Sequence, residues 1–228
     1  MKILYLLINF CTVIIAFIFS FHPKIQFYKH FKAFFIANII AAFLFIIWDI
    51  IFTKLSIWGF NQKYLIGIYL FNLPLEEILF FICIPFSCLF TYHCLNKCYK
   101  ISLSKSIESI IIISLSSLLF ITGICNINHL YTSVTFISLA LFLMLLKYVF
   151  NVNWLAKIII IYPVLLIPFF IVNGILTGSF LDEPVVYYNN NQNMGIRLFT
   201  IPFEDLFYGF ELIILNLFFY EKLKNKIY

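Results

Sequence analysis

The stretch GIYLFNLPLEEILFF, residues 67–81, places two neighbouring acids inside a run of apolar residues. A closely similar stretch, GIRLFTIPFEDLFYG, follows at residues 195–209. The two align without a gap, and the matching pairs are Pro74 with Pro202, Glu76 with Glu204, and Glu77 with Asp205. One acidic doublet would be an ordinary helix cap, but two copies in the same apolar setting favour a functional role.

The composition indicates a membrane protein. Of the 228 residues, 64% are hydrophobic and 11% are charged, whereas soluble domains are about half apolar and a quarter charged. The apolar runs are too long and too continuous for barrel strands, which alternate and are shorter. The predicted fold class is therefore all-α, a polytopic transmembrane helical bundle.

Seven runs approach the ~20 apolar residues that a helix needs to cross a bilayer. The predicted spans are about 3–21, 33–53, 74–94, 107–125, 130–149, 157–177 and 201–220. No small-residue cleavage site follows the first run, which is interpreted as a retained span rather than a signal peptide. Lysines cluster in alternate loops, so the N-terminus is predicted outside and the C-terminus in the cytoplasm.

The repeat also extends upstream of the acidic doublets. WDIIFT at 48–53 is similar to VNGILT at 172–177. The matching pairs are Asp49 with Asn173 and Thr53 with Thr177. Four spans separate equivalent helices, so the two copies should have the same orientation, as a parallel repeat.

The predicted domains divide the chain once. They are residues 1–100 for the first copy and 101–228 for the second, which carries an extra span at 107–125.

The acids suit proton chemistry. The sequence predicts each proline at the first helical position, with an acid in the following turn, where free N–H groups favour an anion. Burial in an apolar site favours the neutral form instead. A neutral acid beside an ionised partner is what acid–base catalysis requires. Helix neighbours point about 100° apart, so the working pair can form between the copies.

Other polar residues are secondary candidates. Asp49 lies within a span, where an ionisable residue is by default functional. Asn173 can also be an interhelical hydrogen-bond donor. Glu211 lies on the same helix face as Glu204, and its role, catalytic or structural, is left open. The candidate substrate contacts are Pro74, Pro202, Asn173, Thr53, Thr177, Tyr208 and Glu211.

Several classes of site are not expected. The six cysteines form no C-x-x-C pair and the four histidines are scattered, so no metal site is predicted. No glycine-rich phosphate loop indicates a cofactor. The net charge of +5 comes with lysine clusters between spans, so nucleic acid is not an expected partner. YYNNNQN at 187–193 is predicted to be a polar loop.

With PLEE and PFED on duplicated spans, after WDIIFT and VNGILT, the chain resembles the integral-membrane, flavin-free lycopene cyclase family, in its fused two-domain form. The resemblance implies cofactor-free cyclisation of lycopene to β-ionone ends, giving γ-carotene and then β-carotene. It implies Glu76, Glu77, Glu204, Asp205 and Asp49 as the catalytic acids and bases. It also implies the lipid bilayer, a carotenoid substrate and other carotenoid-pathway enzymes as partners.

The second copy departs from the first, with Asp205 for glutamate and Asn173 for aspartate, so the halves can differ in role. Family members also cyclise longer carotenoids or form another ring isomer. A proton-coupled secondary transporter is the main alternative, since repeats and intramembrane acids occur there too. A membrane prenyltransferase and a non-catalytic scaffold are further alternatives.

Overall fold

The computed structural model describes residues 2–100 and 102–227, with the side chains of residues 225–227 left undescribed. The described chain forms seven α-helices, and the predicted all-α bundle is confirmed. The helices are α1 (Leu4–Phe19), α2 (Phe31–Lys54), α3 (Leu75–Cys98), α4 (Lys105–Cys125), α5 (Leu130–Met144), α6 (Leu155–Leu176) and α7 (Glu204–Ile227). A π-helical turn, Leu145–Val149, extends α5. The predicted domain limits Met1, Ile101 and Tyr228 fall outside the described residues.

Five helices of the described chain, α2 to α6, are long and apolar enough to cross a membrane. The first helix is apolar but has 16 residues. The seventh has 24 residues but begins with Glu204 and Asp205 and continues through Glu211 and Glu221. Both nevertheless pack against the long helices, because α1 contacts α3 and α7 contacts α2.

The helices of each half have matching directions. Near the starts of α1 and α3, Tyr5 contacts Glu77, and further along both helices the Ser87 hydroxyl donates to the Thr12 carbonyl at 2.7 Å. In the second half, the Ser138 hydroxyl of α5 donates to Glu211 of α7 at 2.8 Å. Thus α1 and α3 run in one direction, and so do α5 and α7. Both α3 and α7 run antiparallel to α2, since Phe45 contacts Phe81 and Tyr208 while earlier residues of α2 contact later residues of both helices, and this agrees with a parallel two-part repeat.

Six short strands interrupt the helical fold within the described residues. They are β1 (Trp58–Phe60), β2 (Tyr69–Leu70), β3 (Leu73–Pro74), β4 (Val186–Tyr188), β5 (Arg197–Leu198) and β6 (Ile201–Pro202). Strands β2 and β3 form one hairpin, and β5 and β6 form its equivalent. The turn of each begins with a phenylalanine at positive φ, Phe71 at 56° and Phe199 at 58°.

These hairpins correct the predicted position of the two prolines. Pro74 has an extended backbone (φ −68°, ψ 149°), caps α3 and pairs with Tyr69. Pro202 likewise ends β6 and pairs with Arg197 before α7 begins. The prediction that each proline is the first helical residue is wrong, because both belong to a strand that delivers the chain to the helix.

The two halves meet at one symmetric strand pair. Strand β1 pairs antiparallel with β4, with Gly59 opposite Tyr187 at the centre. The flanking bonds are equivalent, because the Asn61 N–H donates to the Val185 carbonyl and the Asn189 N–H donates to the Ile57 carbonyl, both at 2.8 Å. Equivalent residues here differ by 128 in number, as in the acidic motifs. The pair therefore lies on an approximate two-fold axis relating the copies.

Candidate active site

A cavity of about 740 Å³ lies between the two halves, beside the symmetric strand pair. Its wall is built from α1, α2, α3, α6 and α7, with Tyr131 of α5 and residues of β1 and β4. Three carboxyl side chains line it, namely Asp49, Glu77 and Asp205. Among the described lining residues there is no Lys, Arg or His. The other polar groups of the lining are uncharged, namely hydroxyls, two thiols, the Trp58 indole and the Asn173 amide.

Equivalent tyrosines hold the second acid of each motif. Tyr5 of α1 donates to the Glu77 carboxyl at 2.5 Å, and Tyr131 of α5 donates to the Asp205 carboxyl at 2.5 Å. All four side chains are nearly inaccessible to solvent. Because each tyrosine sits at the start of a helix parallel to the acid's own helix, the repeat builds the same contact twice. The sequence comparison missed both tyrosines, since they are 126 residues apart rather than 128.

Asp205 has a second phenol donor. Tyr188 of β4 donates to its other oxygen at 2.9 Å, and the Tyr188 ring stacks on Tyr131 with centroids 5.9 Å apart. Burial and the neighbouring Asp205 carboxyl raise the pKa of Tyr188 well above 10.0, so this phenol remains a proton donor at physiological pH. The prediction that residues 187–193 form only a polar loop is wrong, because Tyr188 belongs to a strand in the cavity wall.

The first acid of each motif has different surroundings. Glu76 accepts the backbone N–H of Ile66 at 2.6 Å. Glu204 accepts the equivalent N–H of Met194 at 2.8 Å and the Thr132 hydroxyl at 2.6 Å. Both glutamates are 0% exposed, and neither is among the described residues that line the cavity. Each ties the loop before its hairpin to the start of its helix.

Asp49 enters the cavity from the end of α2. Its Oδ1 accepts the indole N–H of Trp58 and a longer bond of 3.4 Å from Thr53. Its Oδ2 is buried and has no hydrogen-bond partner among the described residues. The Trp58 ring also lies 5.1 Å from that of Tyr131, centroid to centroid. Asp49 is therefore linked through one indole to the tyrosines around Asp205.

The remaining candidates divide between cavity and scaffold. Asn173, Thr177 and Tyr208 line the cavity. The Thr177 hydroxyl also donates to the Asn173 carbonyl at 2.7 Å. Glu211 bonds to Ser138 away from the cavity lining. Thr53 is connected to the site by its hydrogen bond to Asp49. Pro74 and Pro202 belong to the strands that precede α3 and α7.

One side of the cavity is open to the surroundings of the bundle. Its lining includes Leu7 and Ile15 of α1 and Ile171 of α6, which are 49%, 64% and 63% exposed. These exposed residues belong to helices of the apolar bundle, so the opening lies where lipid would surround the protein.

No group of three or more His, Cys, Asp or Glu residues suited to a metal ion occurs in residues 2–100 and 102–227. The six cysteines are unpaired thiols. The described residues therefore offer no metal-binding group beside the three cavity carboxyls.

Both copies of the repeat match one family of known proteins. The family model described as lycopene cyclase matches residues 2–95 and 128–223, one segment for each copy of the repeat. No curated protein and no solved structure matches the chain at a significant level. The match covers most of the chain and both acidic motifs, and so the protein belongs to the lycopene cyclase family, whose members are enzymes that act on carotenoids.

Proposed function

We propose that this protein is a lycopene β-cyclase that converts the acyclic ends of lycopene to β-ionone rings by acid–base catalysis without a cofactor. The reaction is an isomerisation, and it yields γ-carotene after one ring closure and β-carotene after two. The observation that carries the proposal is the group of three carboxyls, Asp49, Glu77 and Asp205, in one apolar cavity.

The chemistry needs a proton to be given and taken back. An acid protonates the terminal double bond, an internal double bond attacks the resulting tertiary cation, and a base removes a ring proton. Acidic and basic groups in a low-dielectric cavity suit both proton transfers. We assign these transfers to Glu77 and Asp205, with Asp49 assisting.

The aromatic wall supports the same proposal. Trp58, Tyr131, Tyr188 and Tyr208 line the cavity close to Asp205 and Asp49. A ring face near a cation stabilises it by about 0.5–2 kcal/mol. Such rings would stabilise the carbocation and keep out the water that would capture it.

Glu76 and Glu204 have a supporting role in this proposal. Each accepts a backbone N–H from the loop before its hairpin. We propose that they position the following helix turn, so that Glu77 and Asp205 face the cavity. The predicted catalytic set of both doublets and Asp49 thereby narrows to three residues.

The entry route follows from the exposed part of the cavity wall. Lycopene is a hydrocarbon and is dissolved in the bilayer. We propose that its end group enters between α1 and α6, past Leu7, Ile15 and Ile171. With the N-terminus outside, as the lysine distribution favours, the carboxyls lie toward the outer leaflet.

Expression in cells that accumulate lycopene tests the proposal. Extracted pigments should contain γ- and β-carotene, whereas a vector control should retain lycopene. Unchanged lycopene, with the protein confirmed in the membrane, would contradict the proposal and favour a proton-coupled transporter. A different cyclic product would keep the reaction class and correct the substrate or the ring isomer.

A further inference from the structure

The two halves of the cavity differ in how many donors surround their carboxyl. Asp205 accepts one phenol on each oxygen, from Tyr131 and Tyr188. Glu77 accepts one, from Tyr5, among the described residues. The residue equivalent to Tyr188 is Phe60, which also lines the cavity and has no hydroxyl. The repeat therefore keeps one donor in both halves and adds a second donor only beside Asp205.

The halves also differ in their number of carboxyls. The first half contributes Asp49 and Glu77, and the second contributes Asp205, because Asn173 stands in place of aspartate. No cationic side chain from the described residues lines the cavity to offset three negative charges. Like charges that share an apolar site disfavour each other's ionised form. Asp49 accepts two donors, Trp58 and Thr53, whereas Glu77 accepts one, so Glu77 is the carboxyl of the first half that is more readily held neutral.

We infer that Asp205 is the base and Glu77 the acid, and that Tyr188 is the residue that makes the two halves unequal. This assignment rests on the proposed function. A carboxylate can only accept hydrogen bonds, and each phenol can donate one. Donors on both oxygens of Asp205 therefore stabilise its ionised form. The Tyr188 hydroxyl acts through Asp205, to which it donates, so it has a positioning role that is separate from the ring in the cavity wall.

The assignment gives a balanced reaction. The O–H bond of Glu77 breaks as a C–H bond forms at the terminal double bond. The internal double bond supplies the electron pair of the new ring C–C bond. Asp205 takes a ring proton, and the electrons of that C–H bond become the ring double bond. The proton returns from Asp205 to Glu77 before the next turnover, so nothing is oxidised or reduced.

Deuterium exchange distinguishes the acid from the base. Membranes containing the protein, equilibrated in D₂O, are given lycopene, and the product and the recovered lycopene are analysed by mass spectrometry. Asp205→Asn should lower cyclised product about 10²-fold or more. Its cation can still return a proton to Glu77, so the recovered lycopene should contain deuterium. Glu77→Gln should lose both product and deuterium, because no cation forms.

Two results would overturn the assignment. One is deuterium in lycopene recovered from Glu77→Gln, and the other is its absence from lycopene recovered from Asp205→Asn. A wild-type protein that forms no cyclic carotenoid would instead refute the proposed function itself. Signals are normalised to membrane-inserted protein, so that poor folding of a variant is not read as loss of chemistry.

Tyr188→Phe tests the positioning role. It should lower cyclised product several-fold and raise the ratio of deuterated lycopene to product above that of wild type. Tyr187→Phe is the matched control, because Tyr187 is the adjacent strand residue and does not line this cavity. If Tyr188→Phe only disturbed the structure, it would lower the amount of product without changing the ratio of deuterated lycopene to product. That outcome would exclude the positioning role.

Discussion

Replacing Tyr131 by phenylalanine removes one hydroxyl and leaves the surrounding ring packing in place. The lost bond is the one to Asp205 at 2.5 Å. The ring contacts with Trp58, at 5.1 Å, and with Tyr188, at 5.9 Å, do not involve the hydroxyl. The stability change therefore reports mainly the hydrogen bond. A bond to a charged group contributes about 1.5–3 kcal/mol, which is the expected loss if Asp205 is ionised.

Tyr5→Phe is the internal comparison, because Tyr5 makes the same 2.5 Å bond to Glu77 in the other half. A bond between neutral groups contributes only about 0.5–1.5 kcal/mol. We therefore expect Tyr131→Phe to destabilise the protein more than Tyr5→Phe does. Each hydrogen-bond energy can be measured by equilibrium unfolding in mixed micelles. In the double-mutant cycles, Tyr131→Phe is combined with Asp205→Asn, and Tyr5→Phe is combined with Glu77→Gln. Equal coupling energies, or a larger one for Tyr5, would show that Asp205 is not ionised beside a neutral Glu77.

Three further predictions concern the surroundings of the cavity. Glu76→Gln should keep most activity, because its amide oxygen can still accept the Ile66 N–H, whereas Glu76→Ala should lose about 1–3 kcal/mol in the same unfolding assay. Ile171→Trp should raise the KM for lycopene by narrowing the entrance, while Ile39→Trp, on an exposed helix face outside the cavity lining, should not. Phe71→Gly should be about 1 kcal/mol more stable than Phe71→Ala in unfolding measurements, because φ is 56° there.

The sequence was sufficient to predict the helical class and the repeat, and it also placed the acids on equivalent helices. Five of the seven predicted spans coincide with described helices that are long and apolar enough to cross a membrane, and two gapless copies of the Pro-x-acid-acid pattern indicate equivalent helices. The sequence did not show which of Glu76 and Glu77 faces the cavity. Neighbours on a helix point about 100° apart, but which one faces the cavity depends on the loop that Glu76 anchors through Ile66. That contact is set by tertiary packing.

The hairpins and the tyrosines were beyond the sequence for different reasons. Strands of two residues, such as β2 and β3, leave no periodicity to detect. Their turn also uses Phe71 at positive φ, where glycine or asparagine would have signalled a turn. Tyr5 and Tyr131 escaped because loops of unequal length shift the spacing between copies. A repeat comparison that allows gaps would have aligned these two residues.

Cofactor-free cyclisation by the cavity carboxyls can be measured with purified protein in liposomes that contain lycopene and buffer only. Wild type is compared with the Asp49→Asn, Glu77→Gln, Asp205→Asn triple variant. Wild type should close the ring and the triple variant should not, with both proteins folded in the bilayer. Cyclisation by the triple variant at the wild-type rate would show that the three carboxyls do not carry out the reaction.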